Sequence, residues 1–355
     1  MTARVGWPDV AKGVCIILVV LWHVVTKHAI GLDGAGAITE GWARLNAQLL
    51  PLRMPLFFLI SGMFAGGAVS APSGSSWRRR AGRLALVYVV WVLIQTIALA
   101  ITPEFDTARA TDGWQLLAQL TISPTNLWYL LALAVYLVVG RLVRQVPTGI
   151  VLPLAFALAA VAASGVLPDL GNLWQVLQNL FFFLAGLRLR SVVERFAAAS
   201  GVLSTVMLGL AYVVAVGAVG VLGMRQWPGI WPLLAIVAVA FGVAACALLD
   251  RHVDVIARPL RWVGRRTLPI YVIHMVPLAL IDGALRGSGL VATPLVEAVW
   301  PPLLTALVIA ICLAAHALIV RVGLGMLFDP LLVTDRLTAR VRERRRLRVG
   351  RRSSP

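Results

Sequence analysis

The sequence predicts an all-α, polytopic membrane protein of about ten transmembrane helices, and three observations carry that prediction. Of its 355 residues 60% are hydrophobic and only 13% charged, and the mean hydropathy of +0.88 lies outside the range of soluble globular chains. Apolar runs recur along the whole length at close to the ~20 residues that a helix needs to cross the hydrocarbon core. Between these runs basic connections alternate with acidic ones, as the positive-inside rule requires of a chain that crosses repeatedly.

Taken in order, the runs place spans near residues 13–30, 50–68, 84–101, 127–140, 149–165, 174–187, 200–222, 230–249, 267–285 and 298–320. With the N-terminus in the cytoplasm, the cytoplasmic connections carry Arg78, Arg79, Arg80 and Arg83, then Arg141 and Arg144, then Arg188, Arg190 and Arg195, then Arg251, Arg258, Arg261, Arg265 and Arg266. The opposite connections carry Asp33 and Glu40, then Glu104, Asp106 and Asp112, then Asp169. An even number of spans returns the C-terminus to the cytoplasm, where nine arginines lie between Arg336 and Arg352. The expected organisation is therefore a membrane domain over 1–330 and a basic cytoplasmic tail over 331–355, the tail lying on anionic lipid headgroups. Asp9 and Lys12 precede the first apolar run and no small-residue cleavage pattern follows it, so the first helix reads as retained rather than as a signal peptide.

The net charge of +17 does not point to nucleic acid, because the arginines fall in short runs between apolar segments and not on a foldable soluble domain. They act as topology signals and lipid contacts. Cys15, Cys246 and Cys312 all sit inside apolar runs without paired spacing, which supports neither a disulfide framework nor a metal site. The connections are too short to hold a separate domain. Any chemistry must happen among the helices.

An ionisable residue inside a span costs at least ~2.5–3.5 kcal/mol at the helix centre, so each one needs a partner, a cavity or a function. The first helix has the clearest case. His23 lies eleven residues after Lys12, and at about 100° per residue that separation is roughly 20° beyond three full turns, so the two share a face. Their rise along the axis is about 16 Å. Asp9, three residues before Lys12, continues the stripe and can pair with it. A lone histidine on an apolar helix is often a packing residue. A cation at the membrane boundary followed by an imidazole at depth is what a channel needs to hold a phosphate-bearing cofactor at one end and activate a hydroxyl at the other.

These residues carry a resemblance. Trp7-Pro8-Asp9-Val10-Ala11-Lys12-Gly13 followed by Leu21-Trp22-His23 resembles the opening of the acyltransferase-3 family of integral membrane O-acyltransferases, which usually shows Arg, ten residues, then His. Here Lys12 takes the arginine's place, keeping the charge and losing the bidentate fork. Further matches follow in order: Met54-Pro55-Leu56-Phe57-Phe58-Leu59-Ile60-Ser61-Gly62, the basic loop from Arg78 to Arg83, Leu127-Trp128-Tyr129-Leu130, Phe183-Leu184-Ala185-Gly186, and Leu268-Pro269-Ile270-Tyr271-Val272-Ile273-His274. The resemblance implies transfer of an acyl group, commonly acetyl, from cytoplasmic acyl-CoA to a hydroxyl of an extracytoplasmic sugar or glycolipid, with no metal. His23 would be its catalytic histidine, as general base or transient acyl carrier, and Lys12 the basic member of the pair.

The remaining expectations are distributed around that axis. Asp9, Ser61, Arg78, Arg79, Tyr271 and His274 are assigned with Lys12 to acyl-CoA, Ser61 to orient the thioester and Tyr271 and His274 to line its channel. His28, Arg53 and Trp128 are assigned to the acceptor, at the far end of the first helix. The expected location is a bacterial inner membrane, and the Ala/Val/Arg-rich composition suggests an actinobacterium, for which a cell-envelope glycolipid such as trehalose monomycolate would be a suitable acceptor. The alternative is a transporter or flippase for a glycolipid or polyol. It would place its charges at helix breaks around a midplane site, whereas the polar sites here run inward from the cytoplasmic face.

Overall fold

The computed structural model describes residues 6–27, 36–71, 75–105, 107, 109–166, 171–285 and 293–330, and these are helices and connections without a strand. His28, Asp33, Asp169 and the basic tail over 331–355 lie outside the described residues. In chain order the helices are α1 (Trp7–Lys27), α2 (Ala37–Gln48), α3 (Leu50–Met63), α4 (Gly66–Ser70), α5 (Ser75–Ala98), α6 (Gly113–Thr121), α7 (Trp128–Leu142), α8 (Thr148–Ala163), α9 (Leu173–Arg188), α10 (Arg190–Ala199), α11 (Val202–Val221), α12 (Ile230–His252), α13 (Asp254–Gly264), α14 (Thr267–Ile273), α15 (Met275–Leu285) and α16 (Pro294–Arg321).

Most of the described part of each expected span is helical, but the helices are unequal. Five are long and apolar enough to cross a membrane: α1, α5 with its short continuation to Ile101, α11, α12 and α16. Two further apolar pairs are bent, α9 turning by 82° into α10 and α14 by 42° into α15, and the total among the described residues is seven if each pair is one crossing. The apolar helices α7 and α8 have 15 and 16 residues. α3 has 14, about 21 Å at 1.5 Å per residue against a hydrocarbon core of roughly 30 Å. The apolar run read from sequence as a full second span is therefore a short helix, continued at its N-terminal end by the more polar α2, with Leu49 serving as the boundary of both.

Local sequence explains where the helices begin. Gly6 starts α1 by offering its carbonyl to the amides of Asp9 and Val10, with Pro8 and Asp9 in the first turn, where a missing N–H and a negative charge are both favourable. Asp112 caps α6 by accepting from the Gln115 amide at 2.8 Å, and Thr293 caps α16 ahead of Pro294.

α1 and α3 form the centre. α1 buries residues on every side, among them Val10, Ala11, Cys15, Ile16, Val20, Val24 and Val25, the pattern of a helix enclosed by others. α11, by contrast, leaves Val202, Leu203, Met207, Leu210, Val213 and Val214 exposed, a surface suited to lipid. Small residues set the closest approaches, since lipid tails are as apolar as leucine and helices associate in a membrane by packing. At the α3–α9 crossing a β-carbon on Gly62 would fall on the Phe183 carbonyl oxygen, and one on Gly186 on that of Leu59. Likewise α13 lies against α1 with Gly264 over the Asp9 carbonyl and Gly13 under that of Leu260.

Two segments expected as basic loops are helices. α10 carries Arg190 and Arg195, with Arg190 bonded to Glu194 at 2.8 Å. α13 carries Arg258 and Arg261, pinned by Arg258–Asp254 at 2.5 Å, by Arg261–Asp250 at 2.5 Å and by Arg261–Asp254. Their charges lie on amphipathic helices that pack against the bundle.

Candidate functional site

Lys12 and His23 face the same side of α1, and each opens into its own cavity. The cavity at the Lys12 end has a volume of about 450 Å³ and is lined by Lys12, Phe57, Ile60, Ser61, Phe64, Arg80, Arg83, Leu84, Tyr129, Leu130, Leu133, Thr267, Leu268 and Tyr271. The cavity at the His23 end has a volume of about 310 Å³ and is lined by Val19, Trp22, His23, Lys27, Leu50, Arg53, Met54, Thr107, Asn126, Trp128, Asn172, Gln175, Tyr271 and Met275. Tyr271 belongs to both walls. Its hydroxyl donates to the Asn126 carbonyl at 2.6 Å and accepts from the Tyr129 amide at 3.1 Å, so α14 is tied to the start of α7 where the two cavities approach each other.

In the Lys12 cavity the ammonium sits 2.6 Å from the Asp9 carboxylate and 5.5 Å from the centre of the Phe64 ring. Asp9 is buried and does not line the cavity; it holds Lys12 from behind. Arg83 is paired with Asp329 at 3.2 Å. Arg80 donates to the Phe64 carbonyl at 2.9 Å and makes no ion pair among the described residues. The Ser61 hydroxyl lies 2.8 Å from the Phe57 carbonyl and 2.7 Å from the Tyr129 hydroxyl, and the Tyr129 ring stacks on Phe57 at 4.6 Å. Three cations and the hydroxyl-bearing residues Ser61, Tyr129, Thr267 and Tyr271 thus line an otherwise apolar channel, a donor set suited to phosphates at its mouth and a neutral arm along its length.

Arg78 and Arg79, expected at this site, do not line it. Arg78 lies over the ring of its neighbour Trp77. Four arginines within six residues of a helix point in different directions, and the two that share the inward face with Leu84, Tyr88 and Trp91 are Arg80 and Arg83. The burial period of α5 is the signal that would have separated them.

At the other end, Arg53 is 3% exposed, stacks on Trp22 at 4.5 Å and donates to the Asn46 carbonyl at 3.4 Å. Trp128 packs against Phe58 with the rings tilted by 43° and forms part of the cavity wall. Both residues, expected to contact the acceptor, line the same cavity as His23. His274 differs from expectation: it lines neither cavity but lies fully buried beside His23, ring centres 5.1 Å apart. Its Nδ1 is 2.8 Å from the Tyr271 carbonyl and 3.2 Å from that of Ile270. A carbonyl can only accept, so Nδ1 carries the hydrogen, and Nε2 is left buried without a partner, as is Nδ1 of His23.

Sequence reasoning missed Asn126, Asn172 and Gln175 as cavity residues. They come from the connection before α7 and from the start of α9 and converge only in three dimensions. Asn172 donates to the Pro124 and Thr125 carbonyls at 2.9 and 3.1 Å, and Gln175 donates to Asn172 at 2.9 Å. Among the described residues no three His, Cys, Asp or Glu converge as a metal ion would require.

Comparison with known proteins agrees with this architecture. A family model described as "Acyltransferase domain" matches residues 5–318. The inner membrane protein YcfT of Escherichia coli (strain K12) is 28% identical over 208 residues, covering 51% of this chain and 55% of that protein. The chain therefore matches about half the length of that relative. No solved structure matches.

Proposed function

The chain belongs to the acyltransferase-3 family of membrane acyltransferases, and from that premise we propose that it transfers an acyl group, commonly acetyl, from acyl-CoA to a hydroxyl of an extracytoplasmic sugar or cell-envelope glycolipid in a bacterial inner membrane. One observation carries the reading: a single helix presents a cation to one cavity and an imidazole to the other, with Tyr271 as their common wall. The Lys12 cavity is the donor side. Its three cations hold the phosphates of acyl-CoA, and the pantetheine arm runs between Ser61, Tyr129 and Tyr271 toward His23. The axial distance from Lys12 to His23, about 16 Å, suits that arm.

The His23 cavity is the acceptor side. His23 takes the proton of the acceptor hydroxyl as its oxygen attacks the thioester carbonyl, and the imidazolium returns that proton to the departing thiolate of CoA. His274 packs its ring against the base, with ring centres 5.1 Å apart. The Tyr271 carbonyl holds His274 in the tautomer with hydrogen on Nδ1, and its part in placing the His23 ring is this packing, since neither His274 Nε2 nor His23 Nδ1 has a hydrogen-bond partner among the described residues. Ser61 and Tyr129 share one hydrogen bond and offer hydroxyls on the donor side to the developing thioester oxyanion.

The test is transfer by the purified full chain in lipid nanodiscs supplied with labelled acetyl-CoA and envelope glycolipid. Wild type is expected to release CoA and label an acceptor, and His23→Ala to lose at least a hundred-fold in rate, within the range for removal of a general base, while keeping its melting temperature. Activity retained in His23→Ala removes the imidazole from the mechanism, and absence of CoA release from wild type removes the acyl-CoA reading.

A further inference from the structure

The buried guanidinium of Arg53 sets the chemistry of whatever occupies the His23 cavity. The side chain is 3% exposed, and among the described residues no carboxylate lies within ion-pairing distance of it. The ring of Trp22 and the Asn46 carbonyl supply one face and one weak hydrogen bond. They do not supply a counter-charge. A desolvated cation without one is costly to bury at membrane depth, and the cost is recovered when an anion joins it. Arg53 forms part of the wall of the same cavity as His23, and Lys27 adds a second cation to that wall.

A second feature points to the rest of the ligand. Both amide atoms of Asn126, Nδ2 and Oδ1, are buried without a hydrogen-bond partner, and the residue lines this cavity. An amide offers one donor group and one acceptor group side by side, which is the complement of a hydroxyl or a vicinal pair of hydroxyls. Folded proteins rarely leave such atoms unpaired.

We propose that the acceptor bound in the His23 cavity is an anionic carbohydrate, its carboxylate or phosphate held by Arg53 and its hydroxyls by Asn126. This rests on the acyltransferase reading of the cavity and narrows it: neutral sugars are poor acceptors, and the oxyanion fixes which hydroxyl meets His23. Arg53 is a positioning residue in this scheme, acting before the chemical step.

The experiment compares D-glucuronate, D-glucose 6-phosphate and D-glucose as ligands of the full chain in nanodiscs, each titrated by thermal stabilisation to an apparent Kd. Wild type is expected to bind one or both anionic sugars about ten- to a hundred-fold more tightly than glucose, the range for a hydrogen bond to a charged group. Preference for glucuronate alone assigns a carboxylate, and for the 6-phosphate alone a phosphate. Arg53→Gln is expected to bind all three alike. Equal binding in wild type, no binding of any sugar, or a preference that survives Arg53→Gln overturns the proposal. Equal binding in wild type is also what a guanidinium reserved for the reaction's transition state would give.

Should Arg53→Gln fail to fold, Arg53→Lys is read in its place. Retained preference supports a site that requires the charge, and a folded Lys variant that binds the three alike overturns it. Acetyl-CoA binding to the same nanodiscs reports on the acyltransferase reading separately. Its absence alongside a clear anion preference ends that reading and leaves the Arg53 site standing.

Discussion

Lys12 commits one direction of its ammonium to Asp9 at 2.6 Å and presents another to the Phe64 ring, yet it still reaches the donor-side cavity. An ammonium has three hydrogens, so a carboxylate behind it orients the group and leaves donors for a phosphate in front. Lys12→Ala is therefore expected to weaken acyl-CoA binding by about 1.5–3 kcal/mol, roughly ten- to a hundred-fold. Lys12→Arg, which keeps the charge and adds a fork, is expected to bind at least as well. Calorimetric titration of acetyl-CoA into the three proteins decides the matter, and equal affinities would reduce Lys12 to a partner of Asp9. Lys12 and His23 were legible in the sequence because both lie on one helix, where spacing alone fixes the shared face. Arg80 was not separated from Arg78 and Arg79, because a run of arginines carries no phase of its own. Asn126 had no local signal at all, since its meaning comes from Tyr271 and Arg53, residues distant in the chain.

Among the elements, α3 shows how much of the site depends on close packing. It supplies Arg53 to one cavity and Ser61 to the other, and its position is set by backbone contact with α9 at Gly62 and Gly186. Gly62→Ala should push the two helices apart and lower stability by about 1–3 kcal/mol, as overpacking does. Thermal unfolding in detergent reads the loss, and because Ser61 moves with the helix, catalytic rate should fall together with melting temperature. An unchanged melting temperature would mean that the crossing has slack the contacts do not suggest. Hydropathy located the helical part of each apolar run, but α10 and α13 were read as loops. Their charge density hid an amphipathic period, and the apolar half of that period matters only once a bundle exists for it to pack against.

For the whole molecule, the alternation of basic and acidic connections in the sequence leads us to propose a cytoplasmic N-terminus and, if the crossings number ten, a cytoplasmic C-terminus. Reporter fusions after Arg352 are expected to signal from the cytoplasm, and a periplasmic signal would end the ten-crossing reading. Among the described residues, five helices are long and apolar enough to cross, or seven if each bent pair is one crossing. The others are short helices whose placement in the bilayer depends on their neighbours, which is why counting apolar runs cannot settle them. Tyr271 gives the arrangement a further meaning. If the two cavities open to opposite faces of the membrane, as the proposed function requires, the Tyr271 phenol and its two hydrogen bonds would stand between two electrical potentials. Across 100 mV a single charge changes energy by about 2.3 kcal/mol, and with hollows on both sides most of that drop would fall on this one layer of side chains. A protein that, as proposed, brings a donor and an acceptor together from opposite sides of a membrane must also remain an insulator, and that duty would fall on the ring that lines both cavities.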